Sequence, residues 1–126
     1  MRFGATAVLV LTAGCVAPPP PSGAPHPRHS LVGRVAGPPE RCVVRMPREP
    51  LLIIDGGALS YRIGTTVYRT QVRPECPRLR PQSTIVVDTI GSRYCSGDRI
   101  TVIEAGAGLP GQTCAIGPFT PYRRAP

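Results

Sequence analysis

Four cysteines, Cys42, Cys76, Cys95 and Cys114, are spread through a stretch of chain too short to stabilise itself by burial alone. Only about Arg41 to Arg124 of this 126-residue chain has the composition to build a core. A domain that small buries little apolar surface, so crosslinks decide whether it folds. No C-x-x-C pair is present, which disfavours zinc, and no metal is expected. Four cysteines in a small exported domain imply two disulfides, each worth about 3 to 4 kcal/mol, comparable with the whole net stability of such a domain. Three pairings are possible and spacing alone selects none. The expectation adopted is Cys42 with Cys114, joining first and last segments, and Cys76 with Cys95, closing a medium loop.

Disulfides require an oxidising compartment, and the N-terminus speaks to that. Arg2 precedes an apolar run from Phe3 to Ala13, well short of the roughly 20 residues that cross a bilayer. A charged start, a short apolar stretch and small residues at its end are the parts of a secretory signal. Cleavage after Ala17 would put Pro18 just past the cut, and cleavage after Ala13 would place bulky Leu11 three residues back. Cleavage before Cys15 fits better. Ala13, Gly14 and Cys15 resemble the lipobox of bacterial lipoproteins, in which small residues precede a cysteine that is lipidated and becomes the mature N-terminus; Thr12 stands where that family usually has Leu. The resemblance implies a signal peptide over 1–14, lipidation of Cys15 and a membrane as partner. Several acyl chains, at about 0.8 kcal/mol per buried CH₂, would hold such a protein firmly. Val16 in place of Asp after the cysteine implies sorting to the outer membrane, facing the periplasm.

Residues 16–40 contain eight prolines among Gly, Ser and Ala. Such chain favours extended polyproline conformations at about 3.1 Å per residue, so segment 15–40 reads as a lipidated, proline-rich tether reaching roughly 75 Å. Both histidines, His26 and His29, fall inside it, where they would form at best a weak chelate.

From 41 to 126 the pattern is β. "LLII" meets "ALSYRI" across Asp55-Gly56-Gly57, a hairpin signal, and Leu59, Tyr61 and Ile63 alternate with polar Ser60 and Arg62. "TTVYRT", "STIVVDT" and "RITVIE" follow as further strands, and no window sustains a helical period. The expectation is an all-β domain, a small antiparallel barrel or sandwich of six or seven short strands stapled by two disulfides.

Candidate chemistry is sparse. "GAGLPG", Gly106 to Gly111, matches G-x-G-x-x-G, but the cysteine and prolines after it cannot open the helix a pyrophosphate site needs. The stretch from Arg41 onward has no histidine and the chain no lysine, which removes the commonest general base and the Schiff-base nucleophile. A carboxylate pair, Asp98 with Glu104, could act on a glycosidic bond. Asp98, however, lies in the turn "CSGD" and is expected to accept local backbone N–H groups. No catalytic residue and no cofactor is expected. All 15 positive residues are Arg, the formal net charge is +8, and Arg69, Arg73, Arg78 and Arg80 are concentrated within "RTQVRPECPRLRP". Arginine holds phosphate and carboxylate bidentately, so these four form a candidate anion-binding site. A composition rich in Ala, Gly, Pro and Arg also explains them as codon bias. Nucleic acid is disfavoured as a partner because the expected compartment holds little of it.

"ECPRLRP", "YCSGDRITV" and "CAIGPFTPY", with "CVV" at Cys42, resemble a family of small exported proteins of Gram-negative bacteria that has no assigned function. Cys76, Pro77 and Leu79, then Cys95, Gly97 and Asp98, then Cys114, Ile116, Gly117 and Phe119 occupy its recurring positions. The resemblance implies one disulfide-bonded β domain and carries no catalytic residue. The function expected is a non-enzymatic binding or structural module of the cell envelope, engaging an envelope protein or anionic polymer. The alternatives are a hydrolase using Asp98 and Glu104, or a periplasmic inhibitor.

Overall fold

A computed structural model describes residues 4, 9, 13–17, 27–55, 57–73, 76, 79–103 and 110–126. Arg78, Glu104, His26 and residues 104–109 of the glycine loop lie outside the described residues, as does the Asp55 side chain. The strands are β1 (Arg34–Ala36), β2 (Cys42–Val44), β3 (Leu52–Asp55), β4 (Ala58–Ile63), β5 (Thr66–Arg73), β6 (Thr84–Asp88), β7 (Arg93–Cys95), β8 (Arg99–Ile103) and β9 (Pro110–Arg124). The fold is all-β and antiparallel with two disulfides, as expected. Seven strands form one sheet, in the order β3-β4-β5-β9-β8-β6 with β1 also on β9, and β2 pairs with β7 in a separate ribbon.

Local sequence explains the hairpins. Asp55 pairs with Ala58 around the expected glycine turn. Ile63 pairs with Thr66 around Gly64, whose φ of 59° is one a side chain resists and glycine adopts freely. β9, 15 residues long, organises the rest. β5 runs along one side of it, while β8 and then β1 share the other.

Alternation along β4 and β5 turns Leu59, Tyr61, Tyr68 and Val72 to one face, where they meet Ile100, Val102, Ile116 and Phe119. The ribbon caps this face: Val43 is buried in it, and the Tyr94 ring stands edge-on to Tyr61, centroids 5.3 Å apart. Burying each large side chain contributes about 1.5 to 3 kcal/mol.

The disulfides join Cys42 to Cys95 and Cys76 to Cys114. The expected pairing, Cys42–Cys114 with Cys76–Cys95, is therefore corrected. Cys42 and Cys95 stand directly opposite each other in the β2–β7 ribbon, a register that sequence separation does not reveal.

Residues 27–40, read from sequence as tether, are packed on the sheet. A 3-10 turn at Pro27–His29 buries His29, whose Nδ1 lies 2.8 Å from the buried Ser60 Oγ. Arg69 donates to the His29 carbonyl at 2.7 Å, Arg34 donates to the Thr65 and Tyr122 carbonyls, and β1 extends β9. Ser60 and Val67 point away from the main core and are nonetheless fully buried, on the side this strap covers. Proline density argued for open chain; hydrogen bonds to an outer sheet face overrode it.

Candidate functional site

Residues 69, 71 and 73 share the outward row of β5, and two of them are the expected arginines. Arg69 and Arg73 line one groove with Thr70, Gln71, Thr120 and Tyr122, floored by Pro39 and Pro118, of about 270 Å³. Among the described residues no acid lines it. Arg69 is held in place through its bond to the strap, so its guanidinium is oriented before any ligand arrives. Arg80 is exposed, its backbone N–H donating to Ser83 Oγ at 3.1 Å, and it does not line this groove. The structure thus brings Arg69 and Arg73 together and leaves Arg80 apart.

The groove's far wall depends on a close backbone approach. At Gly117 a Cβ would sit 2.6 Å from the Gln71 carbonyl oxygen, and Thr70 Oγ1 donates to the Gly117 carbonyl at 2.8 Å. Gly117 and Pro118 together oppose the single residue Gln71, a β-bulge that turns Pro118 into the groove without a ladder bond being lost to its missing N–H.

Asp98 does not resemble a catalytic acid. Its Oδ2 accepts the Cys95 N–H at 2.8 Å, its carbonyl accepts from Ile116 N, and Gly97 N donates to the Ile116 carbonyl. The C-x-G-D turn is a clasp tying the ribbon to β9. The other recurring positions do comparable work: Cys76, Leu79, Cys114, Ile116 and Phe119 are all core, and Gly117 permits the β5–β9 approach. Every described position on which the resemblance rests has a structural role.

Two phenols and one carboxylate were missed in the sequence. Burial raises the Tyr61 pKa above 10.0, opposed by the Met46 N–H that its hydroxyl oxygen accepts. Burial also raises that of Tyr68, reinforced by the neighbouring Glu40 charge and opposed by Arg123. Glu40 and Phe119 exchange both backbone hydrogen bonds across an isolated bridge, which fixes Glu40 beside Tyr68. Nothing in the local sequence joins residues 40, 68 and 93; only the fold does. Among the described residues no group of three or more His, Cys, Asp or Glu could hold a metal ion.

No protein-family model matches this chain, and neither the curated proteins nor the solved structures contain a match.

Proposed function

We propose that this chain is a non-enzymatic module of the bacterial cell envelope, anchored through lipid on Cys15 and held at the outer membrane facing the periplasm. Its Arg69–Arg73 groove docks an anionic envelope polymer. The observation that carries the reading is the division of the five cysteines: four are joined in pairs, while Cys15, in its lipobox-like setting, is exposed and unpaired. Two bridges in so small a domain also suit an oxidising compartment. The groove supports the docking role. Two guanidiniums in one groove attract carboxylate or phosphate, and hydroxyls of Thr120 and Tyr122 offer hydrogen bonds to a hydroxylated polymer. Asp98, bound to its own turn, speaks against the hydrolase alternative.

The test has two arms. Cells fed an alkyne-bearing fatty acid should label the wild-type chain and not Cys15→Ser, and that variant should leave the membrane fraction. Purified chain should co-sediment with isolated envelope polymer, and Arg69→Gln/Arg73→Gln should weaken this about tenfold or more while salt weakens the wild type. A Cys15→Ser chain that still labels ends the anchor reading, and salt-independent sedimentation ends the docking reading.

A further inference from the structure

The outer face of the sheet carries an arginine outside the expected four. Val72, Ile100, Val102, Cys114 and Ile116 are buried in the core, so Arg73, Arg99, Thr101, Thr113 and Ala115, which alternate with them, face the other way. Register sets these residues in rows. Ala115 of β9 pairs with Arg73 of β5 on one side and with Arg99 of β8 on the other, and Arg99 in turn pairs with Asp88 of β6. The next row is hydroxylic, with Thr113 opposite Thr101.

Arg73 and Arg99 are exposed and stand two strand steps apart, about 10 Å between Cα atoms at about 4.8 Å per step. Ala115, between them, is too short to fill the gap. The one salt bridge among the described residues is Arg28 with Glu49, so neither guanidinium is neutralised there, not even Arg99 by its neighbour Asp88. Two like charges on one face repel, and an anion seated between them replaces repulsion with attraction. The backbone fixes their spacing in advance. Cys76, three residues past Arg73, is bridged to Cys114, which adjoins Ala115. Asp98, adjoining Arg99, accepts the Ile116 N–H at 2.9 Å through its carbonyl, and the Gly97 N–H donates to the Ile116 carbonyl at 2.7 Å. Both arginines are thus tied to the same short stretch of β9, which lowers the ordering cost of a ligand that spans them.

We propose that Arg73 and Arg99 form an oxyanion seat over Ala115, which carries the Arg69–Arg73 groove across β9, and that the polymer docked there is an acidic glycan. Carboxylates along the glycan accept from Arg69, Arg73 and Arg99, while its hydroxyls meet Thr113 on the outer face and Thr120 and Tyr122 in the groove. An acidic polypeptide would supply the carboxylates and leave those hydroxyls unanswered. Asp88 closes the basic row and repels a chain that runs further toward the β6 edge. The inference rests on the docking role of the Arg69–Arg73 groove and adds to it a third cation and a polymer class.

Calorimetric titration of the full-length chain with galacturonate dimer and hexamer, with polyglutamate and with neutral dextran tests this. The hexamer should bind at least about tenfold more tightly than the dimer, because it alone reaches all three arginines. Polyglutamate should bind more weakly than the hexamer, and dextran should not bind. Arg99→Gln, at an exposed position that keeps the fold, should weaken the hexamer about tenfold, and Asp88→Asn should strengthen it. Arg45→Gln, an exposed position beside β2, removes the same charge and should change nothing. If Arg69→Gln/Arg73→Gln weakens the hexamer while Arg99→Gln does not, the seat is overturned and the groove stands. An Arg45→Gln loss equal to that of Arg99→Gln leaves net charge alone and also overturns it. Polyglutamate binding as tightly as the hexamer overturns the glycan class, and absence of hexamer binding to the wild type removes groove and seat together.

Discussion

The two disulfides close stretches of 53 and 38 residues, lengths for which the loop-entropy account gives about 4 kcal/mol apiece, yet they sit in unlike surroundings. Cys76 and Cys114 are 0% and 3% exposed, inside the main core beside Leu79 and Ile116. Cys42 and Cys95 are only partly buried, bracing a ribbon that already has its own ladder and the Ser96 N–H to Arg41 carbonyl bond. Loop length barely separates them, so any difference in their contributions measures packing.

The largest effect should come from Cys76→Ala/Cys114→Ala, which loses the crosslink and leaves a void in the core; about 5 kcal/mol in urea unfolding is expected. Cys42→Ala/Cys95→Ala should lose less, about 3 to 4 kcal/mol, because its site can relax toward water. Equal losses would mean that burial adds nothing and loop entropy alone acts.

A substitution that touches no sulfur sharpens the contrast. Gly117→Ala forces a methyl against the Gln71 carbonyl, backbone against backbone, three residues from Cys114. About 2 to 3 kcal/mol of destabilisation is expected, read by thermal unfolding. A smaller loss would show that the β5–β9 joint yields and that the core bridge, not the close approach, holds it.

The smallest effect is alkaline. Tyr61 packs on Tyr94 of the ribbon, and its folded pKa is raised by burial. Stability is therefore fully present below the unfolded tyrosine value near 10.0 and falls as pH rises past it toward the folded value. Ultraviolet titration should find phenol ionisation delayed until unfolding, with the Cys42–Cys95-deficient chain unfolding at lower pH than the parent. An identical midpoint in both chains would detach Tyr61 from the ribbon.

The parts of the fold readable in advance were those with short-range causes. The β3–β4 hairpin follows from its glycines, and β6 and β8 from alternation. β9 was hidden by Pro118 and Pro121, which argue against a central strand. Pro118 falls in the bulge. Pro121 presents its missing N–H toward the Gly37 side, where its carbonyl still accepts the Gly37 N–H at 2.7 Å. The strap was hidden for the same reason. Arg69 and Arg73 were singled out by sequence clustering with Arg78 and Arg80; that both lie on one face of β5 comes from the strand, which the sequence alone reads as a loop.

The buried His29 sets the reach that the proposed anchor at Cys15 would allow. Eleven residues lie between Cys15 and Pro27, a span no longer than about 40 Å at full stretch. Were the chain loose as far as Arg41, the radius would roughly double. If Cys15 carries the proposed anchor, this clamp would restrict the domain to the layer of envelope nearest its attachment, and a mutation that frees the clamp would widen that search while releasing the Arg69 guanidinium.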